Sequence, residues 1–247
     1  MQAIVLKEEP LDFRTEEAYK TLRTNIEFSS SDIKNVVITS CTPNEGKSEV
    51  SFNLSKSFAQ NGKKVLLVDA DLRKSEMRKH YKSGKVRLGL AHYLIGKSSL
   101  NDVTCATDIP NFNIIFAGPM PPNPSELLSG KYFKQLIEET SSIYDYVIFD
   151  TPPLGSVIDS AIVAKYCDGV ALVISAGDIS YRFAQKVLGQ LKMADCKILG
   201  CILNKINMSK KGSYGYYSRY YGKYYGYYYG SDDSTKTKKK KRHHSND

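Results

Sequence analysis

The feature that most limits what this chain can fold into is a series of short apolar runs, rich in β-branched residues, with helical patterns between them. The runs are "NVVITS" (35–40), "KVLLVDAD" (64–71), "FNIIFAG" (112–118), "YVIFDTPP" (146–153), "GVALVIS" (169–175) and "KILGCILNK" (197–205). Near-continuous apolar runs of this length suit parallel strands covered on both faces. The spacing predicts helices over 47–61, 124–142, 157–167 and 179–195. Strand–helix alternation of this kind gives a doubly wound, mostly parallel α/β sheet. Such sheets bind ligands at the carboxyl ends of their strands. Residues 14–28, "RTEEAYKTLRTNIEF", read as an amphipathic helix ahead of the first strand in this series.

The 247 residues are enough for one such domain with a sizeable core. The net charge of +9 is concentrated near the end, where Lys236, Lys238, Lys239, Lys240, Lys241 and Arg242 face only Asp232, Asp233 and Asp247. The body is mildly basic, which argues against a nucleic-acid-binding fold. Five cysteines without CxxC spacing point to neither a disulfide framework nor a metal site, and suit a reducing cytosol. The first twenty residues carry acids and no long apolar run, unlike a signal peptide. No stretch approaches the roughly 18 apolar residues of a membrane span.

"SCTPNEGKSEV" (40–50) follows the first run and opens a helical pattern. Phosphates need inward-pointing backbone N–H groups, a helix N-terminus behind them and a lysine for the terminal phosphates. Gly46, Lys47 and Ser48 match the end of a phosphate-binding P-loop, with Lys47 on the phosphates and Ser48 as a Mg²⁺ ligand. The full GxxxxGK[ST] pattern places Gly at position 41, where this chain has Cys41. Asp69 and Asp71 end the second long run on alternate residues, and Asp150 ends another. Three carboxylates at strand ends beside a P-loop converge on a metal–nucleotide site, and a hydroxyl substrate needs one as proton acceptor or positioner.

Beyond Lys205 the composition shifts to Tyr, Gly, Ser and Lys, which reads as a disordered tail over 206–247. Ten of the chain's 18 tyrosines crowd into Tyr214–Gly230: Tyr214, Tyr216, Tyr217, Tyr220, Tyr221, Tyr224, Tyr225, Tyr227, Tyr228 and Tyr229. P-loop, "LLVDADLR", "VIFDTPP" and tyrosine cluster together resemble the bacterial tyrosine kinases of capsule and exopolysaccharide biosynthesis, in the cytosolic subtype paired with a separate transmembrane adaptor. The resemblance covers about residues 14 to 230. It implies the P-loop ATPase fold of ParA and MinD, the cofactors ATP and Mg²⁺, and autophosphorylation of the tyrosine cluster between subunits. It further implies regulation of polysaccharide synthesis and export, a ring-shaped homo-oligomer, an adaptor of the polysaccharide co-polymerase type, a cognate tyrosine phosphatase and a place at the inner face of the membrane. Other protein substrates are compatible with it, and a nucleic-acid partner is not expected.

By position, the resemblance makes Lys47, Asp69 and Asp71 catalytic, with the order of the two Asp roles open. It makes Ser48, Asp71 and Asp150 the metal partners. Nucleotide contacts fall on the loop and helix start, Thr42, Pro43, Asn44, Glu45, Gly46, Lys47, Ser48 and Glu49. Asn204 and Lys205 stand where related ATPases meet adenine. The family's ExxRxxR oligomerisation motif falls on Glu17, Lys20 and Arg23, with lysine replacing the first arginine. Asn44 replaces a usual Gly. Glu49 replaces a usual Thr, and helical spacing turns it away from the nucleotide. The domain division is then 1–34 with the oligomerisation helix, 35–205 for the kinase and 206–247 for the tail. The rival readings are a ParA/MinD-type positioning ATPase, whose early P-loop lysine is here Thr42, a nucleic-acid binder using its Tyr/Lys tail, and an adhesive low-complexity tail.

Overall fold

Residues 35–40 are buried at every position, as a strand covered on both faces must be, and they lie inside a nine-stranded sheet. The computed structural model describes residues 1–7 and 10–206. The chain divides after Lys205, and the description concerns Met1–Lys205. The tyrosine cluster and the basic run lie outside the described residues.

In chain order the strands are β1 (Gln2–Leu6), β2 (Asn35–Ser40), β3 (Val65–Asp69), β4 (Tyr81–Gly84), β5 (Thr104–Ala106), β6 (Phe112–Ile115), β7 (Tyr146–Asp150), β8 (Gly169–Ser175) and β9 (Ile198–Asn204). Their order across the sheet is β4-β1-β5-β6-β3-β7-β2-β8-β9. The pairings from β6 to β9 are parallel, while β5–β6 and β1–β4 are antiparallel. The helices are α1 (Phe13–Ser29), α2 (Lys47–Gln60), α3 (Leu90–Leu94), α4 (Leu100–Val103), α5 (Pro124–Ser129), α6 (Lys131–Ile143), α7 (Asp159–Ala164) and α8 (Tyr181–Met193).

The period-2 alternation of strand side chains builds two cores from the same runs. Val36 and Ile38 of β2, Val65 and Leu67 of β3 and Ile148 of β7 join Phe52, Leu54 and Phe58 of α2 on one face. Val37, Leu66, Val68, Val147 and Phe149 join Phe133 and Leu136 of α6 and Leu191 of α8 on the other. The strand runs therefore had to be apolar throughout, and the sheet is doubly covered.

Two departures from the sequence pattern have local causes. The expected helix over 124–142 is broken at Gly130, whose extended backbone closes α5 and caps α6; glycine holds helical geometry poorly. The helix expected over 157–167 shrinks to α7. The stretch 72–111 holds β4, β5, α3 and α4, none of which showed in the pattern. β5 is three residues long, and β4 reads Tyr-Lys-Ser-Gly and is largely exposed, so neither carries a periodic apolar signal.

Helix α1 starts at an Asp12 cap, which accepts from the backbone N–H of Arg14 and Thr15. It packs on α2. Within the motif assigned to oligomerisation, Lys20 Nζ pairs with Glu17 at 2.6 Å on the surface. Arg23 instead turns inward and donates from Nη1 to the Ser57 carbonyl at 2.9 Å, near the C-terminus of α2. That contact satisfies a late helix carbonyl with a cation. Arg23→Ala is expected to cost about 1.5–3 kcal/mol, the range for a hydrogen bond to a charged group. Thermal unfolding followed by circular dichroism checks this, with a drop of a few degrees expected.

Candidate active site

The loop between β2 and α2 turns through two left-handed residues, Asn44 (φ 66) and Gly46 (φ 88). Asparagine tolerates that region, which accommodates Asn44 where glycine is usual. Gly46 has no such latitude: a Cβ there would lie 2.3 Å from Asn204 Nδ2. Its conformation leaves the first amides of α2 without side-chain caps, as a phosphate-binding helix start requires.

Glu45 has a role that sequence reading did not assign. It is buried, and its carboxylate accepts from the Thr42 N–H at one oxygen and from the Ser175 N–H at 2.8 Å at the other. It thereby braces the loop against the end of β8. Asn204 Nδ2 donates to the Glu45 carbonyl at 2.9 Å, and the Lys205 ammonium donates to the Asn44 carbonyl. Asn204 and Lys205 therefore support the loop through its backbone. Thr42, Glu45, Asn204 and Lys205 do not line the cleft in front of the loop; Pro43, Asn44, Gly46, Lys47, Ser48 and Glu49 do.

Lys47 is buried at the start of α2. Its Nζ lies 3.2 Å from Asp71 Oδ2 and 3.6 Å from Asp150 Oδ1, and it donates to Ser48 Oγ at 3.1 Å. Burial opposes its charge, but Asp150 and Asp71 outweigh burial and hold its pKa above the ordinary lysine value. Parallel pairing sets Asp69 opposite Asp150 at the carboxyl ends of β3 and β7. Sheet register thus assembles Lys47, Ser48, Asp69, Asp71 and Asp150 from three separate segments.

The three carboxylates differ in environment. Asp150 accepts from Ser51 Oγ at 3.2 Å, and burial raises its pKa, with Lys47 and the Ser48 and Ser51 hydroxyls working the other way. Asp71 lines the cleft and accepts from the Lys74 N–H at 2.9 Å. Asp69 is fully buried and receives the Ser75 hydroxyl on Oδ2. Burial first, then Asp150, push its pKa to about 7. Since the folded value lies above that of an ordinary carboxylate, Asp69 contributes most stability below pH ~4, and that contribution is lost as pH rises through about 7. In metal- and nucleotide-free buffer, the melting temperature of wild type relative to Asp69→Asn is expected to fall between pH 5 and pH 8. A difference independent of pH would contradict the raised pKa.

Asp69 Oδ1 and Asp150 Oδ2 are buried carboxylate oxygens without a hydrogen-bond partner. The open oxygen of Asp150, with the Ser48 hydroxyl and the cleft-lining Asp71 carboxylate, fits a hard cation. Among the described residues no group of three or more His, Cys, Asp or Glu side chains forms a metal-ligand cluster. Mg²⁺ typically uses one or two carboxylates and draws its remaining ligands from phosphates and water.

The far side of the cleft was not read from the sequence. Arg73, Lys74, Glu76 and Lys79 line it, as do Pro152, Pro153, Ser156 and Val157. Arg73 is clamped to the buried Asp159 by two bonds, Nε to Oδ2 at 2.7 Å and Nη2 to Oδ1 at 3.1 Å, and Ser125 Oγ donates to the same carboxylate at 2.6 Å. The only sequence signal for this wall was the basic pair following "DADL". Glu49 is on the cleft wall, half-exposed, where it accepts from Asn53 Nδ2 at 2.8 Å and lies 3.6 Å from His80 Nε2.

The AAA domain family model matches residues 33–198. The chain is 44% identical over 208 residues to "Tyrosine-protein kinase CpsD" of Streptococcus agalactiae, spanning 83% of this chain and 91% of that one. The chain belongs to the bacterial tyrosine-protein kinases. This kinase is also 44% identical over 216 residues to "Tyrosine-protein kinase YwqD" of Bacillus subtilis, spanning 87% and 90% of the two chains. The kinase domain of the Escherichia coli tyrosine kinase ETK superposes with a TM-score of 0.76 at 35% identity, over 81% of this chain and 78% of that one. MinD from Pyrococcus horikoshii, described with Mg-ADP, superposes with a TM-score of 0.60 at 25% identity, over 72% of each chain. The kinase therefore shares the P-loop ATPase fold with the positioning ATPases. Among the described residues, no helix is long and apolar enough to cross a membrane.

Proposed function

We propose that this kinase transfers the γ-phosphoryl group of Mg²⁺-ATP to tyrosines between Tyr214 and Tyr229 of a neighbouring subunit. The observation that carries the reading is Lys47, buried at a helix start and held between Asp71 and Asp150 beside Asp69. The bond from the γ-phosphorus to the ADP oxygen breaks and a bond to the phenolic oxygen forms. The phenolic proton passes to Asp69, whose pKa of about 7 matches proton acceptance at neutral pH. The Ser75 hydroxyl already donates to this carboxylate, as an incoming tyrosine hydroxyl would, which supports the reading. Ser48, Asp71 and Asp150 hold the Mg²⁺, which when bound neutralises charge on the phosphate oxygens. The ammonium of Lys47 then serves the terminal phosphates, and Glu45, Asn204 and Lys205 keep the loop in shape around them.

In this reading residues 1–34 carry assembly, 35–205 catalysis and 206–247 the acceptor tyrosines. The exposed Glu17–Lys20 pair on α1 meets a neighbour in a ring, while Arg23 braces α1 from within. A transmembrane adaptor of the polysaccharide co-polymerase type recruits the kinase to the inner face of the membrane, and a tyrosine phosphatase resets it. Each phosphate adds about −1.5 to −2 charges, so repeated transfer loosens the assembly and regulates capsule synthesis and export.

The test mixes two chains. Lys47→Met supplies a tail without catalysis, and a chain with all ten tail tyrosines changed to phenylalanine supplies catalysis without acceptors. Phosphotyrosine is expected on the Lys47→Met chain, found by phosphosite mapping. An unlabelled mixture alongside self-labelling wild type would show transfer within one chain.

A further inference from the structure

The stretch from Leu72 to Leu88 carries seven Lys or Arg and one acid, Glu76. It runs from the active-site cleft, where Arg73, Lys74 and Lys79 form the wall, to β4 at the edge of the sheet. Met77 and His80 are buried and Tyr81 packs edge-on against Phe116, so the stretch is pinned on its inner side. Arg78, Lys82, Lys85 and Arg87 all stand exposed on its outer side. Among the described residues none of these four has an acidic partner, whereas Arg73 is held by Asp159 at 2.7 Å and Lys79 pairs with Glu76 at 3.5 Å.

Charge on an edge strand discourages pairing with other sheets, and Lys82 serves that end. Edge protection does not account for Arg78, which precedes the strand, or for the basic wall of the cleft. A chain leaving the cleft along this side passes Lys74 and the Lys79–Glu76 pair and then the four exposed cations. The tail itself decides what that means. Between Tyr214 and Tyr229 the unmodified tail carries Arg219 and Lys223 and no acid, so the basic stretch repels it. One phosphate, at about −1.5 to −2 charges, at most cancels that charge, and a second reverses its sign.

We infer that the exposed basic stretch Arg78–Arg87 is a docking surface for phosphotyrosines of a neighbouring copy's tail. It holds tyrosines already modified while the next one enters the cleft. This rests on the proposed use of the tail as substrate and adds an order to it: the first phosphate is slow, and later ones follow quickly on the same tail. An anionic membrane surface offers phosphates too, but it is flat and cannot follow the stretch into the cleft.

The probe is a synthetic peptide of Tyr214–Gly230, unmodified or phosphorylated at Tyr225, Tyr227 and Tyr229, added to the full chain in fluorescence anisotropy. The phosphopeptide is expected to bind at least about tenfold tighter. The advantage is expected to vanish in Arg78→Glu/Lys82→Glu/Lys85→Glu/Arg87→Glu and to shrink in the milder quadruple Gln variant, since exposed ion pairs each contribute a factor of about two. In kinase assays read by intact mass, wild type should yield chains with zero or many phosphates, whereas the Gln variant should yield intermediate numbers while forming its first phosphate at the wild-type rate. Equal binding of both peptides, or binding unchanged by the four substitutions, overturns the inference. So does binding of phosphatidylglycerol vesicles through these four residues without competition from the phosphopeptide. Because the phosphopeptide is synthetic, failure here is separate from failure of the tail to be labelled by Mg²⁺-ATP, which would instead overturn the proposed function.

Discussion

Lys47→Met is expected to lower phosphotyrosine formation by at least about 10²–10³-fold, the range for removing one group that stabilises transition-state charge. The residue is the one lysine among the described residues that pairs with Asp71 and Asp150, at 3.2 and 3.6 Å. Methionine keeps the aliphatic stem in the buried start of α2 and removes the ammonium. Breaking a buried ion pair can cost about 3–5 kcal/mol when a charge is left alone. Here the bereft carboxylates can take up a proton, since burial already raises the pKa of Asp150. The variant is therefore expected to fold, with a circular dichroism spectrum like wild type. Undiminished phosphotyrosine in folded Lys47→Met would remove Lys47 from the phosphate site.

Asp150→Asn is the second large effect, and it separates activity from stability. Turnover is expected to fall by about 10²-fold or more, because the metal clamp is central to phosphoryl transfer. Asparagine also turns a nitrogen donor toward Ser51, which donates to the carboxylate now, or toward the Lys47 ammonium 3.6 Å away. Yet Asp150 is fully buried with one oxygen unpartnered, so its ionised form is costly without nucleotide. The metal- and nucleotide-free variant is expected to melt at or above the wild-type temperature near pH 8. Kinase assays and melting curves on one preparation decide the matter. Near-normal turnover would move the metal site to Asp69 and Asp71.

The chain's own letters determined most of the frame. Every strand from β6 to β9 was visible as an apolar β-branched run; the central ones are so because a strand covered on both faces must be apolar throughout, while the edge strand β9 stays half-exposed. The P-loop was visible because Gly46, Lys47 and Ser48 are adjacent and sit between a strand and a helix. Asp69, Asp71 and Asp150 were visible as acids at the ends of such strands.

Only the tertiary structure decided how these pieces meet. The opposition of Asp69 and Asp150 follows from the register of β3 against β7, and no local pattern encodes that register. Glu45 looked like a nucleotide contact by its place in the loop; its partners, Thr42 and the distant Ser175, make it a brace. Arg23 looked like part of an outward face until Ser57 supplied an acceptor from another helix. The clamp of Arg73 on Asp159 joins residues 86 apart in sequence. β1, β4 and β5 were silent because an exposed or three-residue strand buries too little to need an apolar run. Local sequence states which residues must leave water, and long-range packing states which of them end up together.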